Sequence, residues 1–390
     1  MKKTEIVALG LTLLSPEFLV AQNAATLEVH FCPATAAWVY PLEAQRDIQS
    51  LVVQNIAMTN HGTVPIDIAE VDVSLMRGSE AVDLRRIVGD DLQRLAKSGP
   101  KIQAAGMLQL VGFQFCDRSM IAEGVKLAGP HLDPGQALLL TYQTFAFKGP
   151  RDSVQVVVHG HTGAQPVSAS GSLPVRAGMS KTAFHFPLKG RWFVAVGPTA
   201  HTAHRWGRPE EFAFDIASLG DGNLSHRAVG SKFSNYYAYG AEVLAAANGH
   251  VVAAVNDIAE NPALLRLAGD TDEIYASRMQ EVQVALLKKG GAAVAGNYVV
   301  IDHGNSEYSL YAHLQPGSVR VKPSDLVRSG QPIAKLGSSG NSTEPHLHFQ
   351  VCDAPAPLDC SGIPVNFEDI ELPFADYPRP IQSGDIVVAK

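Results

Sequence analysis

Several things are scarce in this 390-residue chain, and each shortage narrows what it can be. There are four cysteines, and no two stand at the C-x-x-C spacing of a structural zinc site. Basic residues are not in excess: 31 Lys and Arg against 38 Asp and Glu leave a net charge of −7, which offers nucleic acid no electrostatic footprint. No apolar run is long enough to cross a bilayer comfortably, so no membrane span is expected. Internal repeats and low-complexity tracts are absent. What is present is ordinary globular composition, 46% hydrophobic and too apolar for a disordered chain. Cys352 and Cys360 are close together, and Cys32 and Cys116 share the N-terminal half. This fits two local disulfides in an oxidising compartment, with four reduced thiols as the alternative.

The length suggests two domains. Residues 1–25 read as an export signal: Lys2 and Lys3 start it, Ile6 to Leu14 is mostly apolar, and small residues follow at Ala21, Ala24 and Ala25. No cysteine ends that run, so a lipid anchor is not expected, and the location expected is periplasmic or secreted. The fold class expected is mainly β. Residues 26–175 carry short extended runs separated by turns such as Asp133-Pro134-Gly135, the pattern of an antiparallel β-sandwich-like domain, with one helical stretch at Asp90 to Lys97. Residues 176–195 read as a linker, 196–375 as a second strand-rich domain, and 376–390 as a C-terminal tail. In the second domain, Glu242 to Ala247 and His250 to Val255 flank Asn248-Gly249, which predicts a hairpin. A partly helical insertion lies between Asn256 and Gly291, with Met279, Val282 and Leu286 on one side of a helix over Glu273 to Lys289.

The residues that carry chemistry are in this second domain. In Pro345-His346-Leu347-His348-Phe349, two histidines two apart on a strand point to the same face, a pattern suited to metal ligation. His159-Gly160-His161 has the same spacing, but it runs into a turn with no acidic or histidine partner motif, and reads as surface. Tyr311-Ala312-His313-Leu314 ends another apolar strand. Phe212-Ala213-Phe214-Asp215-Ile216 sets a lone carboxylate among apolar residues, which is costly unless it is paired or metal-bound. His204 stands in a turn-like stretch, Ala203-His204-Arg205-Trp206-Gly207.

These parts, taken in order from His204 to Phe349, resemble the lysostaphin-type metallopeptidases. Between them fall Gly240 to Val252, Gly296 to Gly304, Gly330 to Gly337 and Gly340-Asn341-Ser342-Thr343-Glu344. The resemblance implies a barrel-like sheet, a bound Zn2+ ion and hydrolysis of peptide bonds in peptidoglycan. It places metal ligands on Asp215 and His348, and two non-ligand catalytic histidines on His313 and His346. The first ligand of such proteins normally lies four residues before the Asp, where this chain has Glu211. His204 fits a form with a longer preceding loop; His201 is its competitor and Glu211 a third choice. Glu344 stands where many relatives have Gly, and Gln350 where an acidic residue is common. Tyr311 belongs either to the cleft or to the core, whereas His303 reads as structural and His250 as a strand-surface residue.

The function expected is therefore that of a zinc-dependent endopeptidase acting on peptidoglycan. Two other readings stand beside it: a peptidase of soluble peptides, and a metal-free regulator that binds cell-wall amidases. The insertion could wall or cover the groove. The N-terminal domain shows no catalytic pattern, and a protein partner for it is a possibility.

Overall fold

The computed structural model describes residues 25–121, 124–227, 230–267 and 269–390. The expected export signal lies outside the described residues, apart from Ala25. Alternation of buried and exposed positions builds the first sheet. In the strand Ile66–Arg77, the side chains of Ile66, Ile68, Val71, Val73 and Leu75 turn inward. That strand pairs antiparallel with Ser153–Thr162 and Glu80–Val88. A second set, Leu27–Cys32, Ala37–Glu43 and Gln136–Lys148, gathers around the long strand Ile48–Asn60. A two-residue parallel pairing of Gln165–Arg176 with Ala37–Glu43 joins the halves. Their inner faces share one core, with Leu51, Val53 and Phe145 from one side and Val71, Val73 and Val156 from the other. This is a sandwich-like arrangement. The helical stretch expected at Asp90 appears as two short helices, Gly89–Ala96 and Ser98–Ala104. Both cysteine pairs are bonded, Cys32–Cys116 and Cys352–Cys360.

Among the described residues, the second sheet has nine strands and curls around its own core. Its order is Leu326–Val327, Gly249–Val255, Asn297–Asp302, Tyr308–Leu314, Leu347–Cys352, Phe214–Ala217, Gly190–Val196, Ile386–Ala389 and Ile370–Glu371. Leu347, Phe349 and Val351 alternate into that core beside Phe214, Ile216 and Tyr311. The insertion holds the helix Asp272–Lys289, started by Thr271, whose hydroxyl accepts from the Ile274 amide, and stopped by Gly290 at φ 96°. Among the described residues, no helix is long and apolar enough to cross a membrane.

Three expectations need correction. The runs either side of Asn248-Gly249 do not pair with each other. Glu242–Leu244 joins Pro332–Lys335 in a separate two-stranded sheet, whereas Gly249–Val255 joins Asn297–Asp302. Gly249 is there for close approach: a Cβ on it would lie 2.4 Å from the Asp302 carbonyl oxygen. Residues 176–195 are not a free linker, because Phe184, Phe186 and Leu188, each two apart, are buried in the second core. Residues 376–390 are not a free tail, because the apolar Ile386–Ala389 is a sheet strand paired with Gly190–Val196.

Candidate metal centre

Sheet register brings the predicted residues together. Asp215 and His348 are direct partners across neighbouring antiparallel strands, and Ala312 faces His348 from the other side. His313 follows Ala312 with a left-handed backbone, φ 62°, rare for a non-glycine residue and frequent at functional sites. His346 immediately precedes the strand that carries His348. His204 arrives from outside the sheet, on the single helical turn His204–Trp206. Its Nε2 lies 3.2 Å from Asp215 Oδ2, and His348 Nδ1 lies 2.9 Å from Asp215 Oδ1. His346 Nε2 is 3.5 Å from the same Oδ1. The rings of His313 and His346 are 4.8 Å apart.

Each imidazole is tied outward through one nitrogen and turns the other inward. The Nδ1–H groups of His313 and His346 donate to the carbonyls of Ser339 (2.9 Å) and Glu344 (2.7 Å). His204 Nδ1 faces the Ala213 carbonyl at 3.5 Å. His348 is reversed: its Nε2–H donates to Gln350 Oε1 at 2.9 Å, which leaves Nδ1 for Asp215. The Gln350 amide is itself held, its Nε2 donating to the Pro357 carbonyl. Outer partners that choose the tautomer are the usual accompaniment of metal-binding histidines.

The donor atoms of His204, Asp215 and His348 lie within 4.8 Å of one another. The two closest donor pairs approach the edge of about 3.3 Å expected of a tetrahedron with ligands ~2.0 Å from zinc. Two imidazoles and a carboxylate also suit zinc in type. These three residues fit the ion, with His313 and His346 beside it and not needed as ligands.

The electrostatics are those of a buried charge surrounded by imidazoles. Burial would raise Asp215, but His204 and His346 outweigh it and hold the carboxyl well below its ordinary range. Burial would lower His204, yet Asp215 pushes it up to about 9. His313 goes the other way: burial, reinforced by His346 and His348, holds it neutral.

Glu211 turns out to be structural. Its carboxylate pairs with Arg205 at 3.2 Å, and both side chains are buried. Burial pushes Glu211 up to about 7, against the pull of Arg205. The first sheet completes this cluster. Gln54 Nε2 donates to Glu211 Oε2 (3.0 Å) and to the Arg205 carbonyl (3.1 Å), and Arg205 donates to Ser50 Oγ (2.9 Å). Tyr142 stacks on Trp206 at 4.8 Å. Gln54 and Tyr142 fall where the pairing of their two strands is interrupted, Val53 facing Gln143 and Asn55 facing Thr141, and Tyr142 has φ 56°. The turn carrying His204 is thus seated on the N-terminal sheet. None of this was visible in sequence except as a carboxylate standing where a ligand was due.

The remaining candidates lie elsewhere. His201 is exposed and packs edge-on against Trp206. His159, His161 and His250 are exposed. Tyr311 is in the core, its hydroxyl accepting from the Ala246 amide. His303 is held between the Asn248 carbonyl and Ser309. The cleft above the centre is walled by Gln283 and Gly291 of the insertion and by Pro357 and Leu358 of the loop closed by Cys352–Cys360.

A curled antiparallel sheet thus brings two imidazoles and a carboxylate together in a cleft as a candidate metal site, with two further imidazoles beside them. Residues 267–360 match the family described as Peptidase family M23. The chain carries an M23 peptidase domain, the lysostaphin-type group its motifs resemble. It is 45% identical over 65 residues to the peptidoglycan DD-endopeptidase ShyB of Vibrio cholerae serotype O1, covering 17% of this chain and 15% of that protein. It is 45% identical over 56 residues to the murein hydrolase activator EnvC of Escherichia coli, covering 14% and 13%. The catalytic domain of the antimicrobial peptidase lysostaphin from Staphylococcus simulans aligns at 19% identity and a TM-score of 0.25, over 44% of this chain and 88% of that one. The matches to the curated relatives span about a sixth of their length.

Proposed function

We propose that the protein is a zinc-dependent endopeptidase that hydrolyses peptide bonds of peptidoglycan. The observation that carries this reading is the convergence of His204, Asp215 and His348 beside two inward-turned histidines that are not needed as ligands. His204, Asp215 and His348 would hold the ion. The chemistry zinc supplies in such a set is a water acidified toward neutrality and a polarised scissile carbonyl. His313 and His346 then carry the proton traffic: each faces the cleft with Nε2, one to take a proton from water, the other to steady the developing oxyanion or protonate the leaving amine. The insertion helix and the disulfide-closed loop wall the cleft in which a stem peptide or cross-link would lie. Two disulfides favour a periplasmic or secreted location, in keeping with the expected export signal.

Digestion of purified sacculi, with and without a chelator and beside His348→Ala, tests the proposal. Wild type should release muropeptides whose masses name the bond cut, and chelator or substitution should abolish release. Cleavage of soluble peptides with intact sacculi would select the soluble-peptide reading instead. The regulator reading has one relative in its favour, the activator EnvC. The complete donor set here speaks against it. Inert protein that stimulates an amidase would establish it.

A further inference from the structure

The N-terminal sheet carries a second cluster of metal-ligand type, about which the M23 reading says nothing. Glu28 and His30 lie two apart on the strand Leu27–Cys32 and share a face. That strand pairs with Ile48–Asn60 so that Leu27 faces Asn60, and His61 comes alongside, its amide donating to the Thr26 carbonyl at 2.8 Å. Both imidazoles turn Nε2 onto one oxygen: Glu28 Oε2 is 3.3 Å from His30 Nε2 and 3.4 Å from His61 Nε2. These separations match the tetrahedral edge of about 3.3 Å set by zinc–ligand bonds of ~2.0 Å.

A second, independent observation concerns the far side of His30. Its Nδ1 lies 3.4 Å from Asp117 Oδ2, while Asp117 Oδ1 accepts from the Ser119 amide at 2.9 Å. Asp117 follows Cys116, whose bond to Cys32 anchors it two residues beyond His30 on the same strand. A carboxylate behind one imidazole, held in place by covalent and hydrogen bonds, is the outer partner that orients a metal-binding histidine. Glu28 and His61 are exposed and His30 is half-buried, so an ion could enter from solvent. Imidazole donors select a zinc-like transition ion over calcium or magnesium.

We propose that Glu28, His30 and His61 form a second divalent-metal site of zinc type, with Asp117 as positioning residue. Its place indicates a structural role: the ion staples the first described strand to the end of the strand beside it.

The test is zinc stoichiometry of the full-length chain after chelation and equilibrium dialysis against Zn2+ alone. Wild type should bind two ions. The double variant His30→Ala/His61→Ala should bind one, and His348→Ala should also bind one. Co2+ should report the same partition through its tetrahedral absorption band, half of which persists in His348→Ala. Asp117→Asn keeps all three ligands and should weaken one site roughly 10–100-fold, which separates loss of the site from loss of fold. The inference is overturned if the double variant binds as many ions as wild type, or if wild type binds a single ion that His348→Ala removes. A wild type whose single ion is lost in the double variant and kept in His348→Ala would uphold this site and sink the peptidase reading instead.

Discussion

Asp215 and His348 face each other across two antiparallel strands, Oδ1 to Nδ1 at 2.9 Å, although 133 residues separate them in the chain. Sheet register sets this contact, and it supplies two of the three donors in the set His204, Asp215 and His348. Asp215→Asn and His348→Ala should each leave the fold intact and remove one zinc per chain. Hydrolysis should fall by more than the roughly 10–100-fold that loss of an outer partner costs. Metal analysis with circular dichroism, beside a muropeptide assay, checks this.

His204 gives the metal-free protein a pH dependence of defined sign. Folded, it keeps its proton up to about 9; an unfolded imidazole releases it near 6.5. The folded chain therefore binds more protons across that window. Stability from the His204–Asp215 pair is complete below the lower value and is lost as pH rises through the upper one, at up to about 1.4 kcal/mol per pH unit. Urea unfolding of chelated protein should show this slope between pH 7 and 9, and His204→Asn should flatten it. Zinc retention should move oppositely and strengthen with rising pH, because the ion competes with that proton.

Gln350 decides which nitrogen of His348 faces inward. Gln350→Leu removes the acceptor for Nε2–H and should weaken zinc affinity roughly 10–100-fold with little change in fold. Gln350→Glu keeps the acceptor and should retain affinity. Competition with a chromogenic chelator distinguishes them.

The cluster of Gln54, Arg205 and Glu211 should behave as one unit. Arg205→Leu leaves Glu211 buried without its cation and should cost about 3–5 kcal/mol, while Arg205→Leu/Glu211→Leu should recover much of the loss. Gln54→Leu should cost about 1–3 kcal/mol. It should also loosen zinc, because the same hydrogen bonds seat the turn that carries His204. Denaturant unfolding and zinc off-rates measured on the same variants check both parts.

What was legible in the sequence was what local spacing encodes. Two histidines two apart on a strand, a carboxylate among apolar residues and a histidine closing an apolar strand all announce one face of a sheet. The β architecture and a candidate metal site followed from these and from the motifs around them. Contacts between distant segments were not legible. Gln54 is 157 residues from Glu211, and nothing near either one signals the other. For the same reason Asn248-Gly249 read as a hairpin: a turn dipeptide cannot show that its flanking strands find partners elsewhere. The apolar residues at 184–188 and 386–389 do not announce a core role, because a short apolar run looks the same in a connector as in a core.

The most direct test of the central claim, that His204, Asp215 and His348 hold one ion, is anomalous diffraction at the zinc edge from crystals of the zinc-loaded protein. A peak is expected bonded to His204 Nε2, a carboxylate oxygen of Asp215 and His348 Nδ1, at roughly 2.0–2.2 Å from each. Zinc-loaded crystals with no peak among these three residues, or with His204 turned away from it, would rule out this ligand set.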